Sequence, residues 1–217
     1  MIAKDGTVKN LNIENVDITG REEYTERRAC AIAVINAGEI SNIKLSGKIR
    51  SSGQKHCESG GITNRNSGKI SNIELRVEII SSGDYGSYSG GVAVDNKGEI
   101  SNIELRGVIS SDVIIGGVNT ISYSGGIAGL NGGEISNVKV SGNINSSGGS
   151  NTSCSGGIVG KNRGEIINSI IEGTITGRSA MRIFCKEKDM VSKGGINNYS
   201  DEKVLINGNT IESKTLS

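Results

Sequence analysis

Proline and tryptophan are absent from the sequence, and phenylalanine and histidine occur once each. Without proline there is no polyproline spacer. With aromatics at 3% of residues, the chain lacks the large side chains that normally anchor a compact core of this length. One histidine, His56, cannot build an imidazole-rich metal site. No apolar run approaches the ~20 residues of a spanning helix, so no membrane insertion is expected. The opening MIAKDGTVKNL has no apolar signal core, which predicts either an intracellular protein or a piece of a larger secreted one. Lys and Arg (24) nearly balance Asp and Glu (23), for a net charge of +1, which leaves no electrostatic footprint for nucleic acid. Cys30, Cys57, Cys154 and Cys185 show no C-x-x-C spacing and no legible disulfide framework, so free thiols are expected.

What the chain does have is one stretch written repeatedly. Its clearest copy is SGGIAGLNGGEISNVKVSGNI, residues 124–144, with close copies from Ser59, Ser89 and Ser155 and an eroded one from Ala29. The glycine before each E/K-I pair marks the repeats: Gly6, Gly38, Gly68, Gly98, Gly133 and Gly164, at intervals of 32, 30, 30, 35 and 31 residues. Aliphatics recur two, five, seven and eleven places after this marker. Ser169 breaks the fifth-place column. Places five to eleven alternate apolar and polar, the period of a half-buried strand, and β-branched residues with glycine punctuation argue against helix. The ninth place is mostly glycine, which predicts a close approach there.

A unit that cannot bury its own apolar face must stack on its neighbours. The expectation is therefore an all-β fold, a single-stranded parallel β-helix of about six rungs. Each rung would hold ~30–35 residues and three short strands, with a corner between places two and five. Residues 1–217 would form one solenoid domain with a partial final rung from about Gly194. Two asparagine columns fit such a stack. One comprises Asn10, Asn42, Asn72, Asn102, Asn137 and Asn168, and the other Asn36, Asn66, Asn96, Asn131 and Asn162. Both are expected to be structural amide ladders, bonding turn backbone and the next rung.

The pattern G-G-I-x-G-x-N-x-G-x-I-x-N, seen in GGIAGLNGGEISN (residues 125–137) and GGIVGKNRGEIIN (residues 156–168), resembles the GLUG-type repeat. Asn64 and Val94 depart from it where the third glycine would stand. The resemblance covers roughly residues 29–176. It implies a bacterial surface or adhesin-like solenoid, or the stalk of an IgA-cleaving metallopeptidase. The zinc motif H-E-x-x-H of those peptidases is absent, and no catalytic residue carries over.

Two constellations invite a chemical reading. Glu74 and Glu104 share one column, so stacking would set them about 5 Å apart, near the carboxylate spacing of a retaining glycosidase. Arg76, Arg106, Lys44 and Lys139 surround that column, which favours a neutralised outer face. His56-Cys57-Glu58 reads as a polar loop, because neighbouring strand residues point to opposite sides. No cofactor is implied.

Between repeats lie unlike inserts, and these hold Tyr24, Tyr85, Tyr88, Tyr123 and Phe184. Inserts on one side of a solenoid are its usual recognition surface, so carbohydrate or protein ligands are expected there. Tyr88 and Tyr123 stand two places before the glycine pair and could equally stack on each other. The favoured function is a non-catalytic stalk or adhesin-like segment. Alternatives are end-to-end self-association, if the long insert with Met181, Ile183 and Phe184 leaves the end uncovered, and, more weakly, a carbohydrate-active enzyme.

Overall fold

The computed structural model describes residues 1–20, 27–113, 120–147, 152–177, 179–181, 184–185, 199–200, 205–206 and 209–210. Each aliphatic column of the sequence becomes a stack of parallel strands. The long strands Thr7–Gly20, Glu39–Gly53, Lys69–Gly83, Glu99–Val113 and Glu134–Ser147 lie in order in one ten-stranded sheet. Glu165–Ile167 and Ile170–Gly177 together form the next layer of that sheet. A six-stranded serine-glycine sheet runs through Arg27–Cys30, His56–Gly60, Gly86–Gly90, Ile121–Gly125, Thr152–Gly156 and Ser179–Met181. A third sheet, also of six strands, runs through Ala33–Asn36, Thr63–Asn66, Ala93–Asn96, Ala128–Asn131, Val159–Asn162 and Phe184–Cys185. The protein is thus an all-β parallel solenoid with three strands per rung and no helix among the described residues. About five turns separate the first long strand from Ile170–Gly177, the sixth layer.

Like lies on like. Ile40, Ile70, Ile100, Ile135 and Ile166 form one fully buried column, and Ile49, Ile79, Ile109, Ile144 and Ile175 another. Each such side chain contributes about 1.5–3 kcal/mol on burial. The extra residues in the 35-residue interval fall between Val113 and Thr120, so the register of the long sheet is undisturbed across them. At the ninth place the tightness expected from the sequence is present: a Cβ on Gly107 would lie 1.8 Å from the Val77 carbonyl oxygen.

The strands differ from expectation in one respect. Places two to eleven are not two short strands around a corner but one strand of 14 or 15 residues in the intact rungs. The corner is one residue inside it. Asn10, Asn42, Asn72, Asn102, Asn137 and Asn168 all take the left-handed conformation, with φ of 61, 56, 57, 55, 54 and 50°. Asparagine tolerates this region better than other side-chain-bearing residues. Their amides do form a ladder, but an exposed one. Asn42 donates to Asn10 at 3.0 Å, Asn72 to Asn42 at 3.2 Å and Asn102 to Asn72 at 3.2 Å.

The second asparagine column is the buried ladder. Asn36 donates to Asn66, Asn66 to Asn96, Asn96 to Asn131 and Asn131 to Asn162, each at 2.8 Å. Here each Nδ2 points to the later rung, whereas in the exposed ladder it points to the earlier one. Asn36, Asn66, Asn96 and Asn131 also donate to carbonyl oxygens of their own turn and of the next rung, as Asn96 does to Gly98 and Glu134.

Two departures sit near the ends. In the first rung Asn15, with φ of 56°, accompanies a bulge between Ile13 and Val16 that restores Ile18 to the column of Ile49. In the sixth layer Ser169 replaces an aliphatic, the long strand divides there, and Ile170 is left 39% exposed. Beyond it, Tyr199–Ser200 and Leu205–Ile206 pair in parallel with Ile170–Gly177. Leu205–Ile206 and Asn209–Thr210 are the one antiparallel pair among the described residues. Residues 194–198, where the partial final rung was expected to begin, lie outside the described residues.

The two ladders predict different mutational responses. Asn96→Leu strands the donor of Asn66 and the acceptor of Asn131, at about 1–3 kcal/mol for each buried group left unsatisfied. Asn102→Leu costs about 1–2 kcal/mol through its left-handed backbone, whereas Asn102→Gly keeps that conformation and costs under about 1 kcal/mol. Urea midpoints at constant slope read all three. Equal losses for Asn96→Leu and Asn102→Gly would contradict the assignment.

Candidate ligand-binding site

The serine-glycine strands alternate. Ser59, Ser89, Ser124 and Ser155 turn inward, while Glu58, Tyr88, Tyr123 and Cys154 form the opposite column. The inward hydroxyls meet a second serine column from the long sheet. Ser51 bonds Ser59 at 2.8 Å, Ser81 bonds Ser89 at 2.7 Å, Ser111 bonds Ser124 at 2.7 Å, and Ser155 donates to Ser146 at 2.7 Å. These serines also donate to the next layer's backbone, Ser59 to the Ile80 carbonyl at 2.8 Å. The sequence reading missed this polar seam. Its signal was the serine near the end of each long strand, set against the serine that opens each S-G-G.

The glycine pair then turns the chain sharply into the third sheet. A Cβ on Gly125 would lie 1.8 Å from the Ala128 carbonyl oxygen. The outer faces of the two short sheets thereby converge on a cleft of about 730 Å³. Tyr88, Ile121 and Leu130 form its half-buried apolar floor. Tyr123 lies against Tyr88 with ring centroids 5.9 Å apart and planes at 48°, so the two tyrosines do stack, tilted. Lys161 holds its ammonium 5.6 Å from the Tyr123 ring centroid, a cation–π contact. Lys97 and Arg163 stand exposed on turns two layers apart, with Gly132 on the layer between, and Asp95 pairs with Lys97 at 3.6 Å. Burial, then the Glu58 charge, pushes the Tyr88 phenol up, so Tyr88 is a neutral hydroxyl at ordinary pH. Glu58 itself is taken by Arg28 at 2.7 Å.

The other nominated aromatics do not join this cleft. Tyr85 is 64% exposed and does not line it. Tyr24 lies outside the described residues, and Phe184 is described only in its backbone, paired with Val159. Lys97, Lys161 and Arg163 were not nominated from the sequence.

Glu74 and Glu104 lie elsewhere, on a second groove of about 730 Å³ that follows the exposed asparagine ladder. They are in register on adjacent layers. Lys44 bonds Glu74 at 3.1 Å and Arg76 reaches it at 3.2 Å, while Arg106 holds Glu104 at 2.8 Å. The Lys44 hydrogen bond foremost holds the Glu74 carboxyl below the usual range. A glycosidase's general acid needs the opposite shift.

His56-Cys57-Glu58 is split by the strand. Cys57 is buried in the coil, Glu58 meets Arg28, and His56 lies 6.4 Å from the Tyr88 ring. No group of three or more metal-ligating side chains occurs among the described residues.

No protein-family model and no curated protein matches this chain. A solved structure does. It is the 1.30 Å crystal structure of a Bacteroides ovatus protein described as a "putative immunoglobulin A1 protease", at a TM-score of 0.63 and 20% identity. The likeness is one of fold. It covers 98% of this chain but 63% of that one, so the chain spans less than two thirds of its neighbour's length.

Cys30, Cys57 and Cys154 form no disulfide. Burial pushes the Cys57 thiol up to about 11, so thiolate forms only in strong alkali. Native protein at pH 8 should therefore show Cys57 unreactive to iodoacetamide by peptide mapping, and fully reactive after denaturation. Labelling of Cys57 in the native state would show that the coil opens there.

Proposed function

We propose that the chain is a non-catalytic solenoid, a stalk or adhesin-like segment of a bacterial surface protein, that presents a ligand site on its short-sheet side. The observation that carries this is how the polar groups are used. The ladder amides from Asn36 to Asn162 bond rung to rung, and the seam hydroxyls tie the long sheet to the serine-glycine sheet. The carboxylates with an enzyme-like spacing sit in exposed ion pairs. The GLUG-type motif supports a surface role, and the fold likeness is compatible with a segment of a larger protein. End-to-end assembly is less well supported: the end strand Thr7–Gly20 carries a bulge and the charged Lys9, Glu14 and Asp17, which discourage a further strand.

The test is turnover. The purified chain, incubated with polysaccharides and with immunoglobulin A1, should release no product. Glu74→Gln and Glu104→Gln should leave folding and ligand binding unchanged, since exposed pairs contribute at most about 1 kcal/mol each. Cleavage by the parent chain that disappears in these variants would overturn the proposal.

A further inference from the structure

We infer that the Tyr88–Tyr123 cleft takes an acidic saccharide. The inference rests on the ligand-presenting role proposed above and gives that role a chemical class. Three observations lead to it. The cleft has cations on its walls and an apolar floor, so it suits a ligand with a charged edge and an apolar face. Among the described residues, Lys97, Lys161 and Arg163 line the cleft together with one carboxylate, Asp95. No carboxylate among the described residues is ion-paired with Arg163. Its planar fork matches a carboxylate's two oxygens.

The backbone decides between a sugar and a peptide. Every strand bordering the cleft is already paired on both sides: Gly86–Gly90 with the strands before and after it, and likewise Ala128–Asn131. A peptide therefore finds no free edge on which to add a strand, the mode that supplies main-chain affinity on sheets. Recognition falls to side chains. A rigid pyranose ring can lie against Tyr88, Ile121 and Leu130 at a smaller ordering cost than an extended peptide. Its hydroxyls can reach the Tyr88 hydroxyl and Asp95, and its carboxylate the Arg163 guanidinium. A bare inorganic anion would leave the floor unused.

Isothermal titration of the full chain with tetragalacturonate, neutral maltotetraose and hexaglutamate tests the assignment. Tetragalacturonate should bind saturably and weaken with added salt, and maltotetraose should bind at least about tenfold more weakly. Tyr88→Ala and Arg163→Gln should each lower tetragalacturonate affinity by about tenfold or more. Glu104→Gln, on the other groove, should leave it unchanged. Circular dichroism shows whether each variant is folded, and Tyr88→Phe serves if Tyr88→Ala is not. Equal binding of maltotetraose that is lost in Tyr88→Ala would overturn the acidic class while leaving the ligand-presenting face intact. Hexaglutamate binding as tightly as tetragalacturonate would overturn the saccharide in favour of a peptide. Absence of binding by all three probes would overturn the assignment, whereas the non-catalytic proposal stands or falls separately on turnover.

Discussion

The buried amide ladder from Asn36 to Asn162 is the interaction on which the rest of the coil depends. Its members are at most 4% exposed, and each passes a 2.8 Å bond to the next. An amide in that position has no water to fall back on, so a slipped rung would strand both its own groups and its neighbours'. Parallel strands impose a spacing of about 4.8 Å, which an asparagine can bridge directly to another asparagine. Once this column is in register, every other column follows, because all are carried by the same repeat.

The serine seam and the exposed ladder share this logic at different depths. Hydroxyls fit where two sheets meet inside the coil, since each can donate to one partner and accept from another. Amides at the outer corner have a second task, because the backbone there must be left-handed. Charged residues are kept to the surface and largely paired between layers, as Lys44 with Glu74, Lys69 with Glu99 and Lys139 with Glu172. The repeat is broken by the Asn15 bulge in the first rung and at Ser169 in the sixth layer.

The cleft grows out of this regularity rather than interrupting it. Tyr88 and Tyr123 occupy a column whose neighbours are Glu58 and Cys154, so successive layers differ only in the outward side chain. The cations arrive by the same route on the third sheet and its turns, at places that read as Arg65, Asp95, Leu130 and Lys161 from layer to layer. A solenoid can in this way vary its surface chemistry without touching its core.

Much of this was legible in the sequence. The period, the aliphatic columns, the two asparagine columns and the pairing of Tyr88 with Tyr123 follow from residues at fixed offsets, because in a stack an offset is a place in space. Three things were decided only by the tertiary structure. Which asparagine column is buried depends on where the coil closes. That the corner is a left-handed residue within an unbroken strand depends on backbone angles, which several arrangements of the same pattern satisfy. That Lys97, Lys161 and Arg163 face Tyr88 depends on how sharply the glycine pair turns one short sheet onto the other. Offsets along the chain determine what lies above what, whereas the angle between sheets determines what lies across a cleft, and that angle is set by packing rather than by period.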